Sequence, residues 1–471
     1  MFSGLASTVA MNVVPNADGW GPMPSLVPYG DALPGVCRGY VYTRSSVGAI
    51  DLFAGTAAGL YRFDPGARTW VSVTRTTGGP YTLAADDQWC FTAFGRYLIA
   101  TNVNDEPQVL DVDTATAFKN LPGNPPKAKW CWIAGDYLVL GNLASFPDRV
   151  QWSGLNDVEF WTVGQKGSDY QTFPDGNEVQ GGIPDKLGAF IIQRNAIRYM
   201  QFDPSTGYTF TFTAAHPNRG AVSPLSIVQI GPQDFVYLSE DGFFRGAQAQ
   251  PIGAERVDEW FLGGELDLSA LSVVQGVADP YAKIIWWRYL AVDGSRRLLG
   301  YHWQLDRWCT SNVAASYLVS VLTPGVTWDG LSALYSSIDA VDVPFDSRVF
   351  MGGRPTFAGF TTDNRLAYFS GAPLEATAET ADIELAQGQR AFVNGLRVTT
   401  NAPTLNVSVA VSDYAGDDRE WKAASSPSSV TGLIPARANG RFHRFRAVVP
   451  AGTPWTHLQG LDPIVKAGGR R

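Results

Sequence analysis

Charge is scarce in this sequence. Asp, Glu, Lys and Arg make up 17% of 471 residues, against about 25% in a typical soluble domain. Two explanations stay open: a surface given over to subunit contacts, where charge is depleted, or strand-rich folding that uses little Lys and Glu. The charge present leans acidic, with a formal net of −8. No basic field is therefore available to release counterions from nucleic-acid phosphates. The one basic cluster of note is residues 466–471 (KAGGRR), and a short basic terminus is ordinarily just solvated. Cysteine is equally thin. Cys37, Cys90, Cys131 and Cys309 include no CxxC pair, which speaks against a metal knuckle or a disulfide framework. His216, His302, His443 and His457 lie far apart, none with a partner at helical spacing, so zinc chemistry is not expected. No P-loop, GxSxG or GxGxxG occurs, and no cofactor is expected. No run of about 18 apolar residues predicts a transmembrane helix. The N-terminus MFSGLASTVAMNVV has an apolar stretch with no basic residues ahead of it and reads poorly as a secretion signal. The expectation is a soluble chain made in the cytoplasm.

What is present is material for cores. Apolar residues reach 45% and aromatics 12%, including 15 Trp, which excludes general disorder; the length predicts two or three domains. Helical signatures are almost absent. Short runs of β-branched, aromatic and aliphatic residues recur instead, closed by Gly, Asp, Asn or Pro. Residues 51–56 (DLFAGT), 59–64 (GLYRFD) and 70–74 (WVSVT) read as a meander whose turns are GTAAG and DPGA. Residues 89–102 (WCFTAFGRYLIATN) and 130–142 (WCWIAGDYLVLGN) begin 41 residues apart and share their W-C head. A period of about 40 to 45 residues suits a four-stranded propeller blade. Weaker copies follow at 189–200, 235–245, 284–288 with 298–303, and 358–370. The sequence thus predicts an all-β protein with a propeller-like body of about six or seven blades. The body is expected at 49–376, after an extended segment and first strands at 1–48, with an insertion near 321–354. Alternating strands such as TLNVSVAVS and RFHRFRAVVP predict an additional C-terminal β-sandwich at 377–471.

The W-C heads read as wedge-fillers between blades, with Trp89 and Trp130 equivalent and Cys90 and Cys131 unreactive. Trp152, Trp161, Trp303 and Trp308 complete the expected structural anchors. Because propellers host glycosidases, Asp51, Asp136, Asp148, Glu240 and Asp241 are the carboxylates to weigh for paired acid–base work. Most fall in turns, where Asp belongs for backbone reasons. The turn at 239–242 (SEDG) only faintly matches a sialidase Asp-box, and no catalytic role is expected. Asn406-Val-Ser is a formal glycosylation sequon. In residues 441–446 (RFHRFR), both strand faces mix basic and aromatic groups, which predicts a sandwich edge or a subunit contact.

Several stretches, in order, resemble the tail nozzle (tail tubular or hub) proteins of short-tailed bacteriophages. They are GWGP at 19–22 with Cys37-Arg38-Gly39, FAGT at 53–56 with Leu60-Tyr61, and DRVQWSG at 148–154 with Asp157 and Trp161. SEDGF at 239–243, Pro251-Ile-Gly with Val257-Asp258, YHWQLDRW at 301–308 and the C-terminal RFHRFRAVV complete the series. Order and spacing over nearly the whole chain carry the likeness. The resemblance implies a virion protein: a homo-hexameric ring below the portal and adaptor rings, beside other tail proteins such as fibres or spikes. The ring would retain packaged duplex DNA and conduct it without specific binding or membrane insertion. An acidic balance suits a conduit for a polyanion. The alternative is a glycan-binding or glycan-cleaving propeller acting as a receptor-binding tail protein, with Trp152, Trp161, Trp286 and Trp287 stacking on sugars.

Overall fold

A computed structural model describes residues 7–322, 337, 355–414 and 419–467. The chain divides into two compact units: Pro28–Arg296 with Ala314–Tyr368, and Met1–Val27 with Arg297–Val313 and Phe369–Arg471. The expected division at 377 is corrected by this interleaving. The first blade strand begins at Gly39, ahead of the expected 49. The insertion expected near 321–354 lies outside the described residues except for Val321, Leu322 and Ser337.

The larger unit is a seven-position β-propeller. Blade 1 is the antiparallel series Gly39–Arg44, Ile50–Gly55, Leu60–Asp64, Thr69–Ser72. Blade 2 is Cys90–Phe94, Tyr97–Thr101, Gln108–Asp111, Lys119–Asn120, and blade 3 is Ala128–Ala134, Tyr137–Leu143, Phe146–Trp152, Asp169–Thr172. Blade 4 is Val179–Asp185, Gly188–Gln193, Ile197–Phe202, Phe210–His216, and blade 5 is Val228–Gly231, Asp234–Ser239, Gly242–Arg245, Gln250–Pro251. At position 6 the unit holds the hairpin Gln275–Asp279 with Ile284–Leu290. Blade 7 is Tyr317–Leu322, Pro355–Phe360 and Arg365–Pro373, completed by the early strand Pro24–Ala32. Beside its sheet pairing, Tyr29 of that early strand packs edge-on against Tyr368, and Leu33, just after it, donates from N–H to Asn364 O at 2.9 Å.

Turn chemistry sets the blade corners. Gly95 and Gly135 both adopt φ +57° at the first hairpin of blades 2 and 3, a left-handed turn conformation that glycine takes without strain. Asp64 Oδ1 accepts from Gly66 N–H at 2.8 Å, and Asp279 Oδ1 from Tyr281 N–H at 3.0 Å, Asx turns that reverse the chain.

Each blade is buried on both faces. Phe53 packs with Leu98 and Ala100 toward blade 2, while its neighbours Leu52 and Ala54 pack with Tyr317, Val319 and Phe360 of blade 7. Ile99 turns the other way, onto Cys131, Leu138 and Leu140 of blade 3. Side chains alternate between faces along a strand, and here both faces meet an apolar neighbour. The cluster joining blades 7 and 1 closes the ring.

Trp89 and Trp130 are not equivalent. Counted from the hairpins, Cys90 stands opposite Thr101 but Trp130 opposite Gly141, so the two heads are one residue out of step. Trp89 precedes its strand and donates from Nε1 to Thr56 O at 2.9 Å. Its ring fills the space beside Gly39 and Gly55, where a Cβ would collide. Trp132 plays the comparable part at Gly182.

The second unit holds two sheets. One runs Val13–Asn16, Gly19–Pro22, Leu458–Ala467, Ala391–Thr400, Ile434–Gly440. The other includes Arg307–Ser311, Ser7–Met11, Ala376–Thr380, Phe442–Val449 and Asn406–Ser412 in that order. Gly440 of the first lies against Val411 of the second with no room for a Cβ. Asn12 (φ +55°) is 2% exposed and ties three distant segments together. Its Oδ1 accepts from Ser311 Oγ at 2.8 Å and Asn312 N–H at 3.1 Å, and its Nδ2 donates to Glu375 O at 2.8 Å.

The strand Phe442–Val449 is interior to its sheet, flanked by Ala376–Thr380 and Asn406–Ser412, which corrects its expected place at an edge. His443 and Phe445 point into the core. Arg444 pairs with Asp382, and Arg446 with Glu379.

Replacing Trp89 with Ala is expected to cost about 3–5 kcal/mol, the usual penalty for emptying a large core site. Trp130→Ala should cost less, because Trp130 borders an open cavity. Chemical denaturation of the two variants measures the difference; equal losses would mean the two rings are equally enclosed.

Candidate functional site

Around the propeller axis the innermost strands leave a cavity of about 240 Å³. Gly181, Gly182 and Gly276 keep its wall thin, and Trp130, Ile183, Leu225 and Ile227 supply apolar surface. Its polar lining is Cys90, Cys131, Gln180, Gln275 and Tyr317. Gln275 is already committed: Nε2 donates to Leu318 O at 2.7 Å and Oε1 accepts from Leu318 N–H at 2.9 Å. Burial raises the Tyr317 phenol well above its ordinary range. No carboxylate, imidazole, ammonium or guanidinium lines this space among the described residues, so it offers no group for general acid–base work near neutral pH. What it does offer is sulfur.

Cys90 and Cys131, far apart in sequence, face one another across neighbouring blades with Sγ atoms 3.8 Å apart. Counted from the hairpins, Cys131 stands one residue past the blade 3 counterpart of Cys90, so the two point to opposite faces of their blades and meet between them. The repeated W-C head was the available signal. Cys37 and Cys309 are buried singly.

A second cavity, about 380 Å³, opens beside the first hairpins of blades 3 and 4. It is lined by Ile133, Asp136, Tyr137, Leu155, Asp185, Lys186, Leu187 and Phe202, among others. Burial alone would raise the Asp185 carboxyl. Hydrogen bonds from Tyr199 Oη at 2.7 Å and Gln233 Nε2 at 2.9 Å outweigh it and hold the group below its ordinary value. Such a carboxylate stays ionised and is a poor proton donor.

The other weighed carboxylates do not gather here. Asp51 is paired with Arg62 at 2.6 Å in blade 1, and Asp241 with Arg219 at 2.9 Å at the blade 5 turn. Asp148 is half-buried and Glu240 exposed; of the five, only Asp136 lines either cavity. The tryptophans considered for sugar stacking are enclosed: Trp152, Trp161, Trp286 and Trp287 are all at most 5% exposed. Trp152 Nε1 donates to Gly167 O at 2.7 Å and Trp161 Nε1 to Val158 O at 2.8 Å. Trp303 and Trp308 are half-buried, with Trp308 against Tyr301 at 4.6 Å between centroids. Among the described residues no cluster of three or more His, Cys, Asp or Glu suits a metal ion.

Behind the SEDG turn lies Asp258, named above only within a family motif and not among the carboxylates weighed for acid–base work. Gly242 (φ +140°) and Gly253 both back onto the Asp258 carboxylate, which leaves no room for a Cβ at either. Asp258 Oδ1 accepts from Phe243 N–H at 3.2 Å. Burial, reinforced by Asp241, pushes its carboxyl up to about 6.

No protein-family model matches the chain, and no curated protein matches its sequence. Solved structures do. BamB from Moraxella catarrhalis aligns over 76% of this chain and 92% of its own, at 12% identity and TM-score 0.37. The computationally designed Ika8 protein aligns over 77% and 95%, at 8% identity and TM-score 0.38. The extracellular domain of a one-component system from B. thetaiotaomicron aligns over 84% and 47%, at 12% identity and TM-score 0.34.

Asp258→Asn tests the buried acid. A folded-state pKa above the unfolded one favours folding as pH falls and costs stability as pH rises through about 6. The amide keeps an acceptor for Phe243 without the charge. The variant should therefore melt higher than the parent at about pH 8, with the gap closing towards about pH 4. Melting curves across that range check it; a gap independent of pH would remove the titration from the explanation.

Proposed function

We propose that this chain is a structural subunit of a short-tailed phage nozzle, assembling as a ring of about six copies beneath the portal and adaptor. It retains packaged DNA and conducts it during ejection. The observation that supports this best is the ordered series of nozzle-like motifs and the positions they occupy. FAGT ends the second strand of blade 1, DRVQWSG the third strand of blade 3, SEDGF the hairpin of blade 5, and RFHRFRAVV an interior sandwich strand. Their residues build corners and cores and do not converge on one pocket. That is how a shared architecture, as opposed to a shared reaction, would be written.

Charge distribution agrees with a low-friction conduit. In the strand Phe442–Val449, Arg444 is paired with Asp382 and Arg446 with Glu379. A wall of free arginines would bind passing phosphates and release them in a salt-dependent way. A glycan-binding role would need exposed rings beside paired carboxylates, and the tryptophans that could have served are core residues.

Mixing the purified chain with the portal and adaptor proteins of the same phage should give a stacked ring, visible by negative-stain microscopy and native mass spectrometry. A chain that stays free of that complex at high concentration overturns the reading. In a gel-shift titration the soluble protein should show no measurable affinity for duplex DNA at physiological salt. Tight binding with a steep salt slope would point to DNA anchoring instead.

A further inference from the structure

We propose that Cys90 and Cys131 are an oxidisable dithiol, which hydrogen peroxide joins into a disulfide linking blade 2 to blade 3 at the axial cavity. The two thiols are interlocked already. Cys131 N–H donates to Cys90 Sγ at 3.4 Å, Cys90 Sγ donates to Cys131 O at 3.4 Å, and the sulfurs stand 3.8 Å apart. A disulfide bond is about 2.05 Å long, so the sulfurs need to close by roughly 1.8 Å. Rotation of short side chains on adjacent strands supplies a movement of that size.

Reactivity is divided between the two. The Cys131 thiol donates to the Cys90 sulfur and lowers Cys90 below an ordinary thiol despite its burial, whereas burial raises Cys131. Cys90 is partly buried and Cys131 buried, and both line the 240 Å³ cavity. A water molecule occupies about 30 Å³ in the liquid, so a peroxide molecule fits. The attacking group of a thiol pair is the thiolate.

The chemistry balances. Cys90 thiolate attacks one peroxide oxygen, the O–O bond breaks, and a sulfenic acid forms as hydroxide leaves and is protonated to water. Cys131 sulfur then attacks the Cys90 sulfur. The S–OH bond breaks, the departing hydroxide takes the Cys131 proton as a second water, and the S–S bond forms. Two thiols lose two electrons to one peroxide. Cys37 has no such activation: it is 1% exposed, and burial pushes it up to about 12.

The test uses the folded full-length chain. It is treated with stoichiometric hydrogen peroxide, denatured, alkylated and mapped without reduction. The expected result is one cross-linked Cys90–Cys131 peptide, lighter by two hydrogens, with Cys37 and Cys309 alkylated and the link reversed by dithiothreitol. Cys131→Ser should instead leave a sulfenic acid at Cys90 that dimedone traps. Alkylation of all four cysteines in the treated wild type overturns the proposal. So does a link that forms only when peroxide is added in denaturant, or over-oxidised Cys90 beside an alkylatable Cys131. Because the wild-type map carries the decision, an unfolded variant does not blur it.

Discussion

A propeller blade is a sheet with two apolar faces, and every other feature of the larger unit answers to that. Leu52 and Ala54 on one face and Phe53 on the other cannot both be covered by anything but a neighbour on each side. Burial of apolar area is worth about 25 cal/mol per Å², but only where a facing surface exists. Each blade therefore stabilises two others, and the series is stable only when its last member meets its first. The cluster of Tyr317, Val319 and Phe360 with Leu52 and Trp70 is where that happens. Glycine at Gly55, Gly182 and Gly276 lets large rings enter between sheets that must also converge on an axis.

The same geometry governs the chemistry at the centre. Near the axis the strands crowd, so short side chains and glycines are what fits. Cysteines on two consecutive inner strands, one residue out of step with each other, then point from opposite sides into the same gap, and their sulfurs meet. The acid beneath the blade 5 turn follows a similar logic. Two glycines make room for Asp258, and the room they make is buried. In both cases a packing solution has produced groups whose protonation differs from that of the free side chain.

Much of the body was readable because the blade period is written in local residues. The hairpins at Gly95 and Gly135 recur with the Tyr-Leu that follows, and both-face burial makes the strands continuous apolar runs. The alternating texture of residues 442–449 announced a different kind of sheet just as directly. Other features depend on contacts that no local pattern records. Nothing near Asn12 reveals that Ser311 and Glu375 will share its amide. The one-residue slip between Trp89 and Trp130 is invisible until the hairpins fix the register, since the shared W-C head invites direct alignment. Reading the two W-C heads as equivalent wedge-fillers also hides that Cys90 and Cys131 face one another, since that contact depends on the same one-residue slip.

The early strand Pro24–Ala32 has a consequence for how the protein comes to be. It leaves the ribosome before every blade, yet its place beside Arg365–Pro373 does not exist until more than three hundred residues have followed. Contacts of such separation form late, because loop-closure entropy must be met first. Throughout synthesis the segment is an unpaired edge, the kind of surface on which other chains add strands. Pro24 and Pro28 remove two donors from it, Gly30 adopts φ +88°, and Asp31 places a charge near its end. These are the residues that spoil a template for foreign pairing. The strand that locks the ring is thus also the one best equipped to wait.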